Sequence, residues 1–272
     1  MMAGSSTFVA ADGAGYELQM GRWSQRLAPL FIEFAGTAGP LRVLDVGCGT
    51  GSLCVHLTQD PEIVVVRGLD LSAAYVAYGQ RRNPDRRLTL EVGDACALPY
   101  PDAAFDHTLS MLALQFVPRA EVAVREMCRV TRPGGRVAAA TWDTRGGFVA
   151  LRMVLDAAAL LVGTGPQARA AAYTRPLTRP DDLARLWSRA GLDHVEQAML
   201  TIRMDFSSFA DFWTPHTGGN GPVAAFVSTL SRHEANRLEE AVRLAYLDGE
   251  ADGPRSYAAT AWAVRGEVPL AS

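Results

Sequence analysis

The chain contains no lysine: all 26 of its basic residues are arginine. Without an ε-amine, Schiff-base catalysis, pyridoxal-phosphate anchoring, Walker-type nucleotide sites and the lysine-containing tetrad of RNA ribose methylation are excluded. Cysteine is sparse as well. Cys48, Cys54, Cys96 and Cys128 form no CxxC pair and have no histidine at metal-ligand spacing, which predicts reduced thiols and no zinc site. Runs of like charge are missing, and 26 basic against 29 acidic residues leave a net charge of −3. A surface built to grip nucleic acid is therefore not expected. Nothing approaches the roughly 18 uninterrupted apolar residues of a membrane span. Residues 1–19 have neither the charged nor the long apolar region of a secretory signal, so a cytoplasmic location is expected.

What is present is an ordinary globular composition, 49% apolar and 20% charged over 272 residues, enough for one sizeable core. Residues 1 to about 15 are rich in Gly, Ala and Ser and read as loose. Trp23–Phe34 carries apolar residues at helical spacing and reads as a helix bent near Pro29. From Leu41 short apolar runs alternate with helical segments: LRVLDV, SLCVHLTQ, IVVVRGLDL, AAYVAYGQRR, LTLEVGD, FDHTLSML, PRAEVAVREMCRV and, opened by the turn signal RPGG, GGRVAAATW. That alternation predicts βαβ units and five parallel strands by Trp142. A helix over about 148–162, a loop rich in Ala, Arg and Pro, the helix DDLARLWSRAG, a strand around LDHVEQAMLTIRM, two helical stretches and a last strand SYAATAWAVRG follow. Residues 1–40 read as a tail and cap helix, and 41–272 as a single domain with a helical lid or insertion at about 207–247.

The most informative segment is VLDVGCGTG, Val43 to Gly51, where a strand hands over to a helix. Gly47, Gly49 and Gly51 let the backbone turn tightly and approach a ligand, and the amides opening the next helix favour a negative group. A glycine-rich turn alone also suits nicotinamide and flavin folds. Here, however, the spacing is GxGxG, with Ser52 where a dinucleotide fingerprint wants its third glycine.

VLDVGCGTG, GLDLS (Gly68 to Ser72), GDACALP (Gly93 to Pro99) and RPGGRV (Arg132 to Val137) together resemble the class I S-adenosylmethionine-dependent methyltransferases. The likeness is to the small-molecule group that includes ubiquinone and menaquinone C-methyltransferases. The resemblance implies an α/β fold with a Rossmann-like, mostly parallel seven-stranded sheet and helices on both faces. It also implies S-adenosylmethionine as cofactor and S-adenosylhomocysteine as product. Asp70, 21 residues after Gly49, would accept both ribose hydroxyls, with Leu71 beside it. Asp94 and the Ala95 amide would meet the adenine, Asp45 would orient the turn and receive the methionine ammonium directly or through water, and a carbonyl near Ser110 or Met111 would face that ammonium. Tyr16, Arg22 and Trp23 sit where related enzymes fold a helix over the cofactor, with Arg22 and Tyr16 directed to its carboxylate.

Absences narrow the acceptor. The strand-four tip reads SMLALQF, unlike the NPPY-type sequence of adenine or glutamine methylation, and has no Pro-Cys pair for cytosine C5. Asp143 lacks a carboxylate partner at Ser110, so no metal is expected. Of the five histidines, His56, His107, His194 and His233 read as structural. His216, in DFWTPHTGGNGP, is the candidate to touch the acceptor. The segment Trp213–Gly221 reads as a mobile lid ordered on ligand binding, its glycines too flexible for a strand or a helix, with an ordinary packed loop as the alternative. Gln115 and Trp142, just past strand tips, are expected in the pocket wall with Trp213. The expected activity is metal-independent methyl transfer to a small, apolar or aromatic acceptor. A catalytically silent cofactor-binding protein and a nicotinamide oxidoreductase are the competing readings.

Overall fold

Apolar residues on both sides of every central strand dictate a sheet covered on both faces, and the computed structural model has that form. It describes residues 6–8, 12–218 and 220–270. The expectation for the first residues therefore lies in part outside the described residues, as does Gly219. Seven strands form one sheet: β1 (Arg42–Val46), β2 (Val65–Asp70), β3 (Leu88–Val92), β4 (Phe105–Met111), β5 (Thr131–Trp142), β6 (Asp193–Phe206) and β7 (Arg255–Glu267). Their order is β3-β2-β1-β4-β5-β7-β6, with β1 to β5 parallel and β7 antiparallel to both β5 and β6. Strand order reverses between β1 and β4, which opens a crevice beyond their carboxyl ends.

The helices are α1 (Gly13–Tyr16), α2 (Arg22–Ala35), α3 (Ser52–Leu57), α4 (Ala73–Arg82), α5 (Ala120–Val130), α6 (Val149–Leu161), α7 (Gly165–Tyr173), α8 (Asp182–Arg189), α9 (Phe209–Trp213), α10 (Gly221–Val227) and α11 (Arg232–Leu247). A π-helical turn, Glu17–Gly21, joins α1 to α2. Trp23, Leu27 and Phe31, four residues apart, bury one stripe of α2 in the core with Val43, Leu109, Ala138 and Ala140. On the opposite face Leu44, Val46, Val137 and Ala139 pack with Val124 and Met127 of α5 and with Trp187 of α8. The Trp187 indole donates to the Val137 carbonyl at 2.9 Å, fixing α8 to the sheet. No helix among the described residues is long and apolar enough to cross a membrane.

Four local expectations are corrected. Helix begins at Gly13 rather than Trp23, because the Asp12 side chain accepts from the Gly15 amide and caps it. RPGG is not a turn before β5 but a bulge within it: Thr131 pairs Phe105 and Arg136 pairs His107, so residues 132–135 oppose Asp106 alone. The Ala, Arg and Pro segment contains α7, since PQARAAAY is rich in helix formers and its Pro166 sits in the first turn, where the missing amide is harmless. Within the Trp213–Gly221 segment, residues 213–217 and 221 are helical rather than loop. A 3-10 turn, Thr214–Thr217, continues α9, and Gly221, at φ +73, opens α10 ahead of Pro222.

Candidate functional site

The turn after β1 is built on positive φ angles, at Gly47 (+78), Gly49 (+57) and Gly51 (+93). Its course is held by backbone bonds: the Gly47 and Cys48 amides donate to Leu69 at 2.7 and 3.1 Å. A Cβ on Gly47 would stand 2.2 Å from that of Ala113, whereas one on Gly49 would meet only the Tyr16 ring at 3.7–3.8 Å. The turn is thus clamped between β2 and the β4 tip on one side and α1 on the other.

Two carboxylates organise the turn. Asp70 accepts from the Gly49 amide through one oxygen and from the Ser72 amide through the other, each at 2.8 Å. Both oxygens keep further lone-pair sites. Burial raises its pKa, against those two amides. Asp45 lies fully buried beneath the turn. One oxygen accepts from the Cys54 thiol at 3.3 Å and the other has no partner among the described residues. Burial first, and then the charge of Asp70, push its pKa up to about 7 against the Cys54 bond. The Ser110 hydroxyl is spent on the Val46 carbonyl at 2.8 Å.

A cleft opens above this turn. Of the predicted cofactor residues, Tyr16, Gly47, Gly49, Asp70, Leu71, Asp94, Ala95 and Met111 line it. Asp45, Gly51 and Ser110 stand behind its wall. Arg22 is elsewhere: its guanidinium donates to the Asp211 carboxylate at 2.7 Å and lies over Trp23, 4.3 Å from the ring centre. The Asp94 carboxylate accepts from the Cys96 amide at 2.8 Å.

A second cavity adjoins the first, and Phe8, Tyr16, Leu112 and Phe116 line both. Its walls are mainly apolar, from Met20, Trp23, Phe148, Leu151, Met204, Phe206, Phe212 and Val223. The predicted Gln115, Trp142 and His216 line it, but Trp213 does not; it is buried, stacked on Phe209 at 6.1 Å. Arg22 Nε, Gln115 Oε1, Trp142 Nε1 and His216 Nδ1 are buried without partners among the described residues. Burial alone holds His216 down to about 4, so it is a neutral imidazole at pH 7. Next to Gly221 of its wall, the buried Asn220 side chain accepts from the Tyr75 hydroxyl at 2.9 Å.

Sequence reasoning missed Phe8, Tyr75, Leu112, Phe116 and Asn220. Leu112 carried a readable signal only in its position: it follows β4 at φ +65, a conformation a branched-chain residue adopts when its surroundings force it. The others meet through contacts between distant parts of the chain. Phe8 packs edge-on against Phe116 at 4.9 Å. Among the described residues no group of three His, Cys, Asp or Glu is arranged to hold a metal.

Residues 44–139 match the model of a methyltransferase domain. A demethylmenaquinone methyltransferase of Beutenbergia cavernae is 43% identical over 113 residues, 42% of this chain and 45% of the relative. The chain thus spans less than half of that protein's length. A malonyl-acyl-carrier-protein O-methyltransferase of Erwinia pyrifoliae is 35% identical over 186 residues, 61% of this chain and 68% of the relative. Among solved structures, phosphoethanolamine N-methyltransferase 2 of Haemonchus contortus, in complex with phosphomonomethylethanolamine and S-adenosylhomocysteine, matches with a TM-score of 0.58. It is 15% identical, and the match covers 94% of this chain and 57% of that one, a likeness of fold.

Proposed function

The chain belongs to the class I S-adenosylmethionine-dependent methyltransferases, and we propose that it methylates a small, largely apolar acceptor held in the second cavity. The observation that carries this reading is the pair of adjoining cavities sharing Phe8, Tyr16, Leu112 and Phe116. One is built on glycines and carboxylates, the other on apolar side chains. S-adenosylmethionine, when bound, supplies a methyl group already activated by the sulfonium.

The residues of the first cleft fit that cofactor. Asp70 keeps acceptor capacity for the ribose hydroxyls while its amide bonds fix its orientation. Asp45 has an unpartnered buried oxygen suited to an ammonium, and Gly47 lets the turn pack against Ala113 at the cleft wall. Asp94 and Ala95 stand at the β3 end of the cleft, on the adenine side. Tyr16 covers Gly49, and burial pushes its phenol pKa up, so it remains a neutral hydrogen-bonding wall.

In the acceptor cavity the chain excludes water with aromatic walls and offers Gln115, Trp142 and neutral His216 to orient polar atoms. His216 positions an acceptor; its lowered basicity makes it a weak proton acceptor. Incubation with methyl-labelled S-adenosylmethionine and a metabolite extract should transfer label to a small molecule. In His216→Ala the transferred label should fall while affinity for S-adenosylhomocysteine stays within about twofold of wild type (about 0.4 kcal/mol). Cofactor binding with no label transferred to any component would defeat the reading.

Cofactor affinity should also depend on pH. The ammonium needs Asp45 ionised, and its pKa stands at about 7. Below pH 7, binding must therefore displace a proton, and affinity for S-adenosylhomocysteine should fall by up to about tenfold per pH unit, levelling off above about pH 8. Calorimetric titrations from pH 5.5 to 8.5 check this, and Asp45→Asn should flatten the profile. A wild-type profile already flat would remove Asp45 from the ammonium.

A further inference from the structure

Two arginines line the acceptor cavity, and they are not equivalent. Arg22 is neutralised by Asp211 at 2.7 Å. Arg175 has no hydrogen bond or ion pair to its guanidinium among the described residues. Its guanidinium lies over the Phe116 ring, 4.6 Å from guanidinium carbon to ring centre. A ring face offers no lone pair, so this contact leaves the guanidinium N–H donors without an acceptor. No aspartate or glutamate lines the cavity among the described residues. Burial lowers the pKa of Arg175, with no opposing carboxylate to raise it.

The segment that carries Arg175 is pinned. It joins α7 to α8, and the β5 end grips it through the Thr141 hydroxyl, which donates to the Leu177 carbonyl, and the Thr144 hydroxyl, which donates to Ala172 at 2.9 Å. The Thr178 hydroxyl closes on the Arg175 carbonyl itself at 2.8 Å. Here a half-buried cation lies against an aromatic ring that both cavities share, in a mainly apolar chamber, where its charge is less well solvated than in water and a ligand of opposite charge is favoured.

We propose that the methyl acceptor carries a carboxylate, which pairs with Arg175 while its apolar body fills the chamber. The unpartnered donor Trp142 Nε1, in the same wall, adds to the demand for acceptor atoms on the ligand. A planar carboxylate matches the guanidinium fork with two parallel bonds, which a neutral amide of the same shape cannot do. The proposal rests on the second cavity being the acceptor site.

The test uses two probes of one shape, 2-naphthoate and 2-naphthamide, titrated against the whole protein saturated with S-adenosylhomocysteine. Wild type should bind the carboxylate at least about tenfold more tightly than the amide (about 1.4 kcal/mol). Arg175→Met should erase that preference while leaving amide binding and S-adenosylhomocysteine affinity unchanged, the latter serving as the check on folding. Arg175→Lys should keep part of it, as a point charge without the fork. Equal binding of both probes by wild type, no binding of the carboxylate, or a preference that survives in Arg175→Met would each overturn the proposal. Failure of wild type to bind S-adenosylhomocysteine would instead strike the cofactor assignment, which the naphthyl titrations do not touch.

Discussion

Replacing Asp70 with alanine should lower affinity for S-adenosylhomocysteine at least about a hundredfold, roughly 2.7 kcal/mol. Two effects add. The ribose loses two charge-assisted acceptors, each worth about 1.5–3 kcal/mol. The Gly49 and Ser72 amides lose the carboxylate that both meet at 2.8 Å, so the turn is also less well held before ligand arrives. Asp70→Asn separates these contributions. Its amide presents an oxygen to only one of the two backbone donors and turns an NH2 toward the other, so it should fall between wild type and alanine. Asp94→Ala, on the adenine side, braces fewer elements and should lose only about tenfold, about 1.4 kcal/mol. Calorimetry on the folded variants checks the order, and an Asp70→Ala protein that binds within threefold of wild type would remove the ribose clamp.

The second large effect is expected at Gly47. Alanine there must adopt φ +78 and place its Cβ 2.2 Å from that of Ala113. Left-handed backbone in a non-glycine residue costs about 1–2 kcal/mol, and overpacking of a rigid contact about 1–3. Gly47→Ala should therefore lower the unfolding free energy by about 2–5 kcal/mol in urea titrations and abolish cofactor binding. Because the clash involves one methyl on each side, adding Ala113→Gly should recover the steric part but not the backbone part. Gly49→Ala is the control: its Cβ would meet only ordinary contacts with the Tyr16 ring, so a loss near 1 kcal/mol is expected. If Gly47→Ala and Gly49→Ala prove equally mild, the turn is not clamped by the β4 tip.

The parts of this site that could be read in sequence are those set by local chemistry at fixed spacing. Gly47, Gly49 and Asp70 lie on one strand-turn-helix-strand unit, so their meeting follows from the βαβ pattern. The bond from Gly49 to Asp70 closes that unit across 21 residues. Arg22 was legible as a helix residue but not in its pairing, because Asp211 lies 189 residues away. Arg175 hid in a stretch whose composition suggested a loop, and its contact with Phe116 depends on how α7 packs against α6 and the β5 end. The helical course of residues 213–217 was obscured by the glycines that follow, although Ser208 caps α9 by accepting from the Asp211 amide at 3.3 Å. Hydrophobic period and turn chemistry report what neighbours in sequence do. Which distant side chains share a cavity is decided by packing.

The two cavities draw on different stretches of the chain. Apart from Ser6, Phe8 and Tyr16, the cleft at the glycine turn is lined from within residues 44–139, the part that matches the domain model. The acceptor chamber takes only Leu112, Gln115 and Phe116 from that stretch; the rest of its wall comes from residues 8–23 and 142–223. If the two cavities take donor and acceptor as proposed, reactivity and selectivity are encoded in different stretches of the chain. On that assignment, a substitution in α6, α7 or α10 should reshape what is accepted without disturbing the turn at Gly47 or the carboxylate of Asp70. Exchanging residues 142–223 between two relatives would transplant a preference for substrate onto an unchanged donor site, and the aromatic wall of Phe8, Tyr16, Leu112 and Phe116 marks the seam at which such a graft must fit.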